Sequence, residues 1–459
     1  MLNIAILAAG EGRRMRSQLP KSLHLLAGKP LLEHIICTVE PLQAHGLYGV
    51  YAHELLPKQL THLSIVQWIL QKPALGTAHA VAQVLPHLSP ESRLLILPGD
   101  TPLITFTTLQ CFIQQTPQHA LGLITAFLEN PEGYGRIIRD TQQRITNIVE
   151  ERDATPEQRS ITEVNSGIYL VSIQTLKRWL SQLNQNNAQG EYYLTDIIAC
   201  AIAESVQCST FTTQYPEEIQ GINHRGQLAQ LEQAYQQKQA ESLLQQGLGL
   251  LDPQHFHLRG QIQFGEDVTI DSHVVLEGNI QLGDNTRIGP FSSLRNVQIA
   301  ADVIIQSHCV IEDSIIGPGC IVGPFARLRP GTYLEKDVKI GNFVELKNTQ
   351  IATASKINHL SYIGDTTVGQ LVNIGAGTIT ANYDGQQKHR THIADKVMVG
   401  AHTTLVAPIT LHEGATIGAG STLTRDAPAN SLSLTRAQQR SLTNWQRPQK
   451  SLEVKEEEK

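Results

Sequence analysis

The chain has 459 residues, 41% of them hydrophobic and 17% charged, which is ample for a large folded core and excludes a wholly disordered chain. A net charge of −6 gives no general attraction to nucleic acid or to an anionic membrane, and no apolar run approaches the roughly 18 residues of a membrane span. The six cysteines form no CxxC pair and no metal-like spacing with histidine, so they read as free thiols of a reducing compartment; the expected location is cytoplasmic.

Residues 1–225 alternate short apolar runs with helical patterns. NIAILAA (3–9), RLLILPG (93–99) and LGLITAF (121–127) have the near-continuous apolar character of strands covered on both faces of a parallel sheet. Pro30–Thr38 and Gly76–Leu85 carry helical patterns, and the alternation predicts an α/β, doubly wound domain. Residues 226–247 set Leu228, Leu231, Tyr235, Leu243 and Leu244 on a glutamine-rich background and stop at Gly247, the pattern of one linker helix.

After about Asp252 a period of six takes over. Leu282, Ile288 and Leu294 form one phase, and Ile299, Ile305 and Ile311 follow after a one-residue slip. Ile316, Val322, Leu328, Leu334, Ile340 and Leu346 come next, then Ile351, Ile357 and Ile363, then Ile393, Val399, Leu405, Leu411, Ile417 and Leu423. Six residues suit one short strand and one corner, so three hexads make one triangular coil of a parallel β-helix, with the aliphatic residue inside. Residues 380–392 break the period and are expected to project as a loop. The predicted organisation is therefore a domain over 1–225, a helix over 226–247 and a β-helix over 248–459, ending in a disordered charged tail, KSLEVKEEEK.

Directly after the first strand comes Leu7-Ala8-Ala9-Gly10-Glu11-Gly12-Arg13-Arg14-Met15. A glycine-rich turn there brings backbone N–H groups close to a phosphate chain. It lacks the third glycine of a dinucleotide fingerprint and the GK[ST] of a Walker A loop. Further along stand Leu19-Pro20-Lys21, Leu75-Gly76-Thr77-Ala78-His79-Ala80, Pro98-Gly99-Asp100-Thr101-Pro102, Tyr134-Gly135-Arg136, Ile148-Val149-Glu150, Val164-Asn165-Ser166-Gly167 and Gly221-Ile222-Asn223. In the hexad half, Arg329 and Lys347 are 18 residues apart, one full coil, so they stack on one face; His359 is two hexads beyond Lys347, on another. Stacked aliphatics hold a solenoid together without such cations, whereas a phosphate needs them.

This ordered set resembles the sugar-phosphate nucleotidylyltransferases. With the hexads it covers roughly residues 3–440 and is similar to the bifunctional N-acetylglucosamine-1-phosphate uridylyltransferases/glucosamine-1-phosphate N-acetyltransferases. The resemblance implies an α/β nucleotidylyltransferase domain (Rossmann-like, mostly parallel sheet), a linker helix and a left-handed parallel β-helix. It implies two reactions feeding cell-envelope polysaccharide: acetylation of glucosamine 1-phosphate by acetyl-CoA, then uridylyl transfer from UTP to N-acetylglucosamine 1-phosphate. By the same mapping Leu7, Ala8, Ala9, Gly10, Arg14, Lys21, Gln71, Gly76, Thr77, Gly99, Gly135, Glu150, Asn165 and Asn223 bind UTP or its sugar product, and Asp100 and Asn223 hold Mg²⁺. In the second site His359 is the general base. Arg329, Lys347, Tyr362 and Asn373 bind the sugar phosphate, and Ala376, Asn382, Tyr383, Ala401, Ala419 and Arg436 bind acetyl-CoA. The resemblance also implies a homotrimer. Two positions depart from the family pattern: Pro98 and Ala401 stand where a hydroxyl-bearing residue and a serine are expected.

Overall fold

The structure, a computed structural model, describes residues 1–10 and 12–448, so the tail expected to be disordered lies outside the described residues. The chain divides into two compact units, Met1–Ser242 with His257–Gly260, and Leu243–Phe256 with Gln261–Lys459.

The first unit is built from β1 (Leu2–Ala8), α1 (Leu31–Val39), β2 (Gly46–Tyr51), β3 (Val66–Leu70), α2 (Thr77–Val84), β4 (Arg93–Pro98), α3 (Phe106–Gln115) and β5 (Leu121–Phe127). It continues through β6 (Arg136–Arg139), β7 (Ile145–Val149), β8 (Glu163–Ser172), α4 (Ile173–Leu180), α5 (Ile197–Ala203), β9 (Cys208–Thr212) and α6 (Arg225–Gln245). The three strands and two helices expected in the first 127 residues agree with these bounds to within one residue. The sheet runs β9-β5-β8-β4-β1-β2-β3, with β6 and β7 attached as a hairpin beside β8. Its pairs are parallel except those made by β8 and by the hairpin.

Period-2 alternation explains why these strands look uniformly apolar: each face meets its own helix layer. Ile4, Ile6, Leu95 and Leu97 pack with Leu32, Ile35 and Ile36 of α1 and Leu109 and Phe112 of α3. Ala5, Leu94 and Ile96 pack with Val81 and Val84 of α2, Leu176 and Trp179 of α4, and Ile197 and Ile198 of α5. Helix α6 seats Leu231 among Met15, Leu26, Leu31 and Ile222. From β1 the chain proceeds through β2 and β3 on one side and returns with β4 on the other. The carboxyl ends of β1 and β4 thus flank a topological switch point, the place where open α/β sheets bind ligands.

The second unit is a parallel β-helix. One of its faces stacks two-residue strands such as Thr269–Ile270, Arg287–Ile288, Ile304–Ile305 and Ile321–Val322, each in parallel register with the next. Ile288, Ile305, Val322, Ile340, Ile357, Ile374, Val399 and Ile417 are successive partners on this face. Every aliphatic residue assigned to the interior by the hexad phase is 4% exposed or less. The one-residue slips in the phase are coils shortened by one residue, absorbed without loss of register. The long coil between Ile374 and Val399 carries the projecting segment, which is narrower than the sequence suggests. Ile379–Ala381 and Thr391–Ile393 stay within the helix as strands, so residues 382–390 project.

A feature the hexad pattern concealed is a ladder of rings. His255, His273, Phe291, His308, Phe325 and Phe343 stack one coil apart with centroid spacings of 4.5 to 5.2 Å. From His273 onward these residues have φ between 54° and 60°, a left-handed conformation that costs any residue carrying a Cβ, and the rings it aligns stack on one another.

Candidate functional sites

At the switch point lies a cavity of about 850 Å³. Its lining includes Leu7, Ala8, Ala9, Gly10, Arg14 and Lys21 from the turn after β1, Gly99 and Asp100 after β4, Gln71, Gly76 and Thr77 around the start of α2, and Glu150, Asn165 and Asn223. Every nucleotide-site residue expected from sequence is therefore gathered at one cavity except Gly135. That residue sits just behind the wall, where its carbonyl accepts the Asn165 backbone N–H at 2.9 Å.

The charged and polar groups of this cavity are paired with one another. Lys21 is ion-paired and hydrogen-bonded to Asp100, both largely buried. Arg14 Nη2 donates to Asn223 Oδ1 at 2.8 Å. The backbone of Ile222 bonds the Asp100 carbonyl at 3.3 Å, which ties the Gly221-Ile222-Asn223 turn to the β4 end. Two cations and two oxygen donors thus converge, and Asp100 with Asn223 supplies the hard oxygen ligands that Mg²⁺ prefers.

The remaining walls follow from local backbone geometry. Strand β8 is irregular between Asn165 and Tyr169, and the irregularity turns Asn165 toward the cavity. Asn165 Nδ2 donates to the buried Tyr169 hydroxyl at 2.7 Å. Glu150 accepts from Thr195 Oγ1 at 3.2 Å. Burial pushes its carboxyl above the ordinary range, and Asp196 and Asp153 add to the effect. Gly76 has φ 108°, and a Cβ there would stand 2.6 Å from the Tyr192 carbonyl oxygen. That close approach docks residues 187–195 against the start of α2, through Ala78 N to Tyr192 O at 3.0 Å and Leu194 N to Thr77 Oγ1 at 3.0 Å.

Sequence reasoning missed this segment, although Gln189, Glu191, Leu194 and Thr195 line the cavity. Its only signal is Gly190-Glu191-Tyr192-Tyr193 between two helices. Pro98, the departure from the family pattern, also lines the cavity, and its ring fills the space beside Gly167, where a Cβ would stand 3.0 Å from Pro98 Cγ.

On the β-helix two groups of expected residues lie on neighbouring sheets. The first is cationic. Leu328 and Leu346 are register partners, so Arg329 and Lys347 follow them one coil apart, as the spacing predicts. Arg329 Nη1 bonds Glu345 Oε1 at 2.9 Å. Lys347 is held below the ordinary lysine range chiefly by Lys388, with partial burial and Arg329 adding to the effect and Asp365 opposing it. Lys388 comes from the projecting segment and was not singled out as a ligand from sequence; no periodic pattern marks it. Tyr362 and Asn382 complete this group. Both would crowd a Cβ at Gly364, the register partner of Lys347, and Asn382 Nδ2 also bonds Asp365 Oδ2 at 2.5 Å.

The second group lies on the sheet of two-residue strands. His359 is the register partner of Asn342, and its Nδ1 is 3.0 Å from Asn342 Oδ1. An amide oxygen only accepts, so Nδ1 carries the hydrogen and Nε2 presents its lone pair. The corner at Leu360 then leads to Tyr362 on the neighbouring sheet. Asn373 heads the next strand on the His359 sheet. Ala376, Ala401 and Ala419 follow Gly375, Gly400 and Gly418 in successive coils, and the Arg436 guanidinium approaches Gly418. These form a row of small residues, with Tyr383 exposed on the projecting segment.

Among the described residues one group of three histidine and carboxylate donors stands apart, Asp252, His255 and His273 in the β-helix unit. Two imidazoles suit a transition metal better than Mg²⁺, and these rings lie flat on one another at 4.5 Å, so their lone pairs run side by side rather than converge.

Comparison with known proteins agrees with the geometry. Residues 4–249 match the model of the MobA-like NTP transferase domain, and residues 258–334 that of the GMPPB C-terminal domain. The bifunctional protein GlmU of Nitrosospira multiformis is 50% identical over 452 residues, covering 98% of each chain. That of Acinetobacter baylyi is 49% identical, covering 97% of this chain and 98% of its own. That of Methylococcus capsulatus is 50% identical, covering 97% of both. Half identity from end to end, across both units, means that the chain belongs to the bifunctional GlmU family.

Proposed function

We propose how the two reactions of this family, acetyl transfer to glucosamine 1-phosphate and uridylyl transfer to N-acetylglucosamine 1-phosphate, are divided over the chain. Uridylyl transfer is assigned to the switch-point cavity. The observation that supports it is the convergence of Lys21 with Asp100 and Arg14 with Asn223 on the glycine turn. Both reactants are anions, so the site must neutralise charge and hold attacking and leaving groups in line. Lys21 and Arg14 exchange their resting partners for phosphate oxygens. The Asp100 carboxylate and Asn223 Oδ1 would hold Mg²⁺, which would supply neutralisation of phosphate charge. Gln71 faces the base, and Glu150 and Asn165 face the sugar, with Gly135 supporting Asn165 from behind. The sugar phosphate oxygen bonds to the α-phosphorus of UTP as pyrophosphate departs.

Acetyl transfer is assigned to the β-helix. Arg329, Lys347 and Lys388 form an anion site whose cations crowd one another until a phosphate enters. His359 Nε2 takes the proton from the glucosamine amine as its nitrogen attacks the thioester carbonyl and CoA leaves. The row Ala376, Ala401 and Ala419, with Asn382, Tyr383 and Arg436, borders acetyl-CoA, and small side chains there leave room for the cofactor to lie along the coils. The active assembly is a cytoplasmic homotrimer.

One assay tests the division. Protein is given glucosamine 1-phosphate, labelled acetyl-CoA, UTP and Mg²⁺, with UTP omitted from a parallel tube. Label appears in UDP-N-acetylglucosamine in the first and in N-acetylglucosamine 1-phosphate in the second. Uridylylation of supplied N-acetylglucosamine 1-phosphate without release of label from acetyl-CoA would reduce the β-helix to a scaffold.

A further inference from the structure

Helix α2 carries a histidine that lies outside the cavity lining and has no part in the chemistry assigned above. His79 sits two residues after Thr77, half-buried, with its Nδ1 3.0 Å from Gln71 Nε2. Gln71 is 3% exposed and follows β3 directly. Its Nε2 also lies 3.0 Å from the Gly76 carbonyl oxygen. A carbonyl oxygen only accepts, so this contact fixes which end of the Gln71 amide is nitrogen. Both N–H bonds of that amide are then committed, one to Gly76 O and one to His79 Nδ1. Its oxygen is the end left for the cavity that Gln71 lines.

We propose that His79 is a positioning residue for base selection: its bare Nδ1 locks the Gln71 amide so that an acceptor, never a donor, meets the edge of the incoming base. This rests on the reading of the cavity as the nucleotide site and adds what the cavity selects for. A base presenting a ring N–H, as uracil does, completes the bond to Gln71 Oε1. A base presenting a bare ring nitrogen at that place, as cytosine does, sets two lone pairs face to face. With Nδ1 accepting, the neutral ring carries its hydrogen on Nε2, 3.1 Å from the side-chain amide of Gln83 one helical turn on. Gln83 is also placed with its nitrogen 3.1 Å from the His79 carbonyl. Both demands cannot be met in one orientation. The half-exposed Gln83 amide is the partner that turns, because the buried Gln71 amide is held at both hydrogens.

The test measures steady-state uridylyl transfer with UTP and with CTP for the full-length protein and for His79→Leu, His79→Asn and Gln71→Leu, with thermal unfolding as the control for folding. His79→Leu removes the acceptor. It is expected to raise KM for UTP about tenfold with little change in kcat, and to lower the UTP/CTP preference by a similar factor. His79→Asn, whose Oδ1 occupies the place of Nδ1, is expected to keep the preference within about threefold. His79→Ala replaces the leucine variant if that protein does not fold. An unchanged UTP/CTP ratio in the acceptor-free variant, with Gln71→Leu impaired, overturns the role of His79 alone. An unchanged KM and ratio in Gln71→Leu overturns the placement of the base as well.

Discussion

Asp100 and His359 separate the two activities at the level of single side chains. Asp100→Ala removes the partner of Lys21 and one oxygen ligand, and is expected to abolish uridylyl transfer while acetyl transfer continues. His359→Ala should lower acetyl transfer by about 10²- to 10⁴-fold, the usual share of a general base, and leave uridylyl transfer intact. Both are checked by assaying each reaction alone.

Glu150 gives a pH signature instead. Its folded-state carboxyl lies above the ordinary value of 4.5 because burial penalises the charge. The stability it contributes is complete below pH 4.5 and is lost as the pH rises through the raised value. Glu150→Gln should therefore raise Tm at pH 8 and leave it nearly unchanged at pH 4, as followed by thermal unfolding at the two pH values. Residues of this kind were legible in the sequence when they stood in a short motif beside a strand end, as Lys21, Asp100 and Asn165 do. Asn342 and Lys388 were not. Each reaches its site only because a neighbouring coil or a projecting segment is laid against it, and spacing along the chain does not encode that proximity.

Among elements, the contrast lies between strands and the segments that join them. Leu121–Phe127 was legible to the residue because an uninterrupted apolar run has few alternatives in an α/β chain. Residues 187–195 were not, since a wall built from backbone bonds to Ala78 and Leu75 leaves little trace in side-chain pattern. Gly76 is the hinge of that wall. Gly76→Ala would force a Cβ against the Tyr192 carbonyl and displace the segment, so KM for UTP should rise while the β-helix activity stays unaltered. In the coils the interior residue dominates. Ile357→Ala, at a position with no exposure, is expected to cost about 2–5 kcal/mol, measurable as a lowered midpoint in denaturant unfolding.

At the scale of the molecule, two compact units with separate cores account for the way two chemistries share one chain. The period of six made the second unit plain because a solenoid repeats its physics at every turn. The ring ladder was missed because its period is a whole coil of 17 or 18 residues and it mixes histidine with phenylalanine. Such stacking also makes the prism modular. Each coil is supported by the one beneath it and the one above. Ile288 and Ile305 are register partners, so excising residues 289–305 would join Ile288 to Gln306 in phase and bring His273 directly under His308. The shortened prism should retain its interior and its cation cluster, whereas removal of only three or four residues would throw the aliphatic side chains of the interrupted coil out of phase with those of its neighbours. Whole turns can be added or lost here like storeys, and beyond the single residue by which coils already differ, the quantum of tolerated change in this half of the chain is the coil.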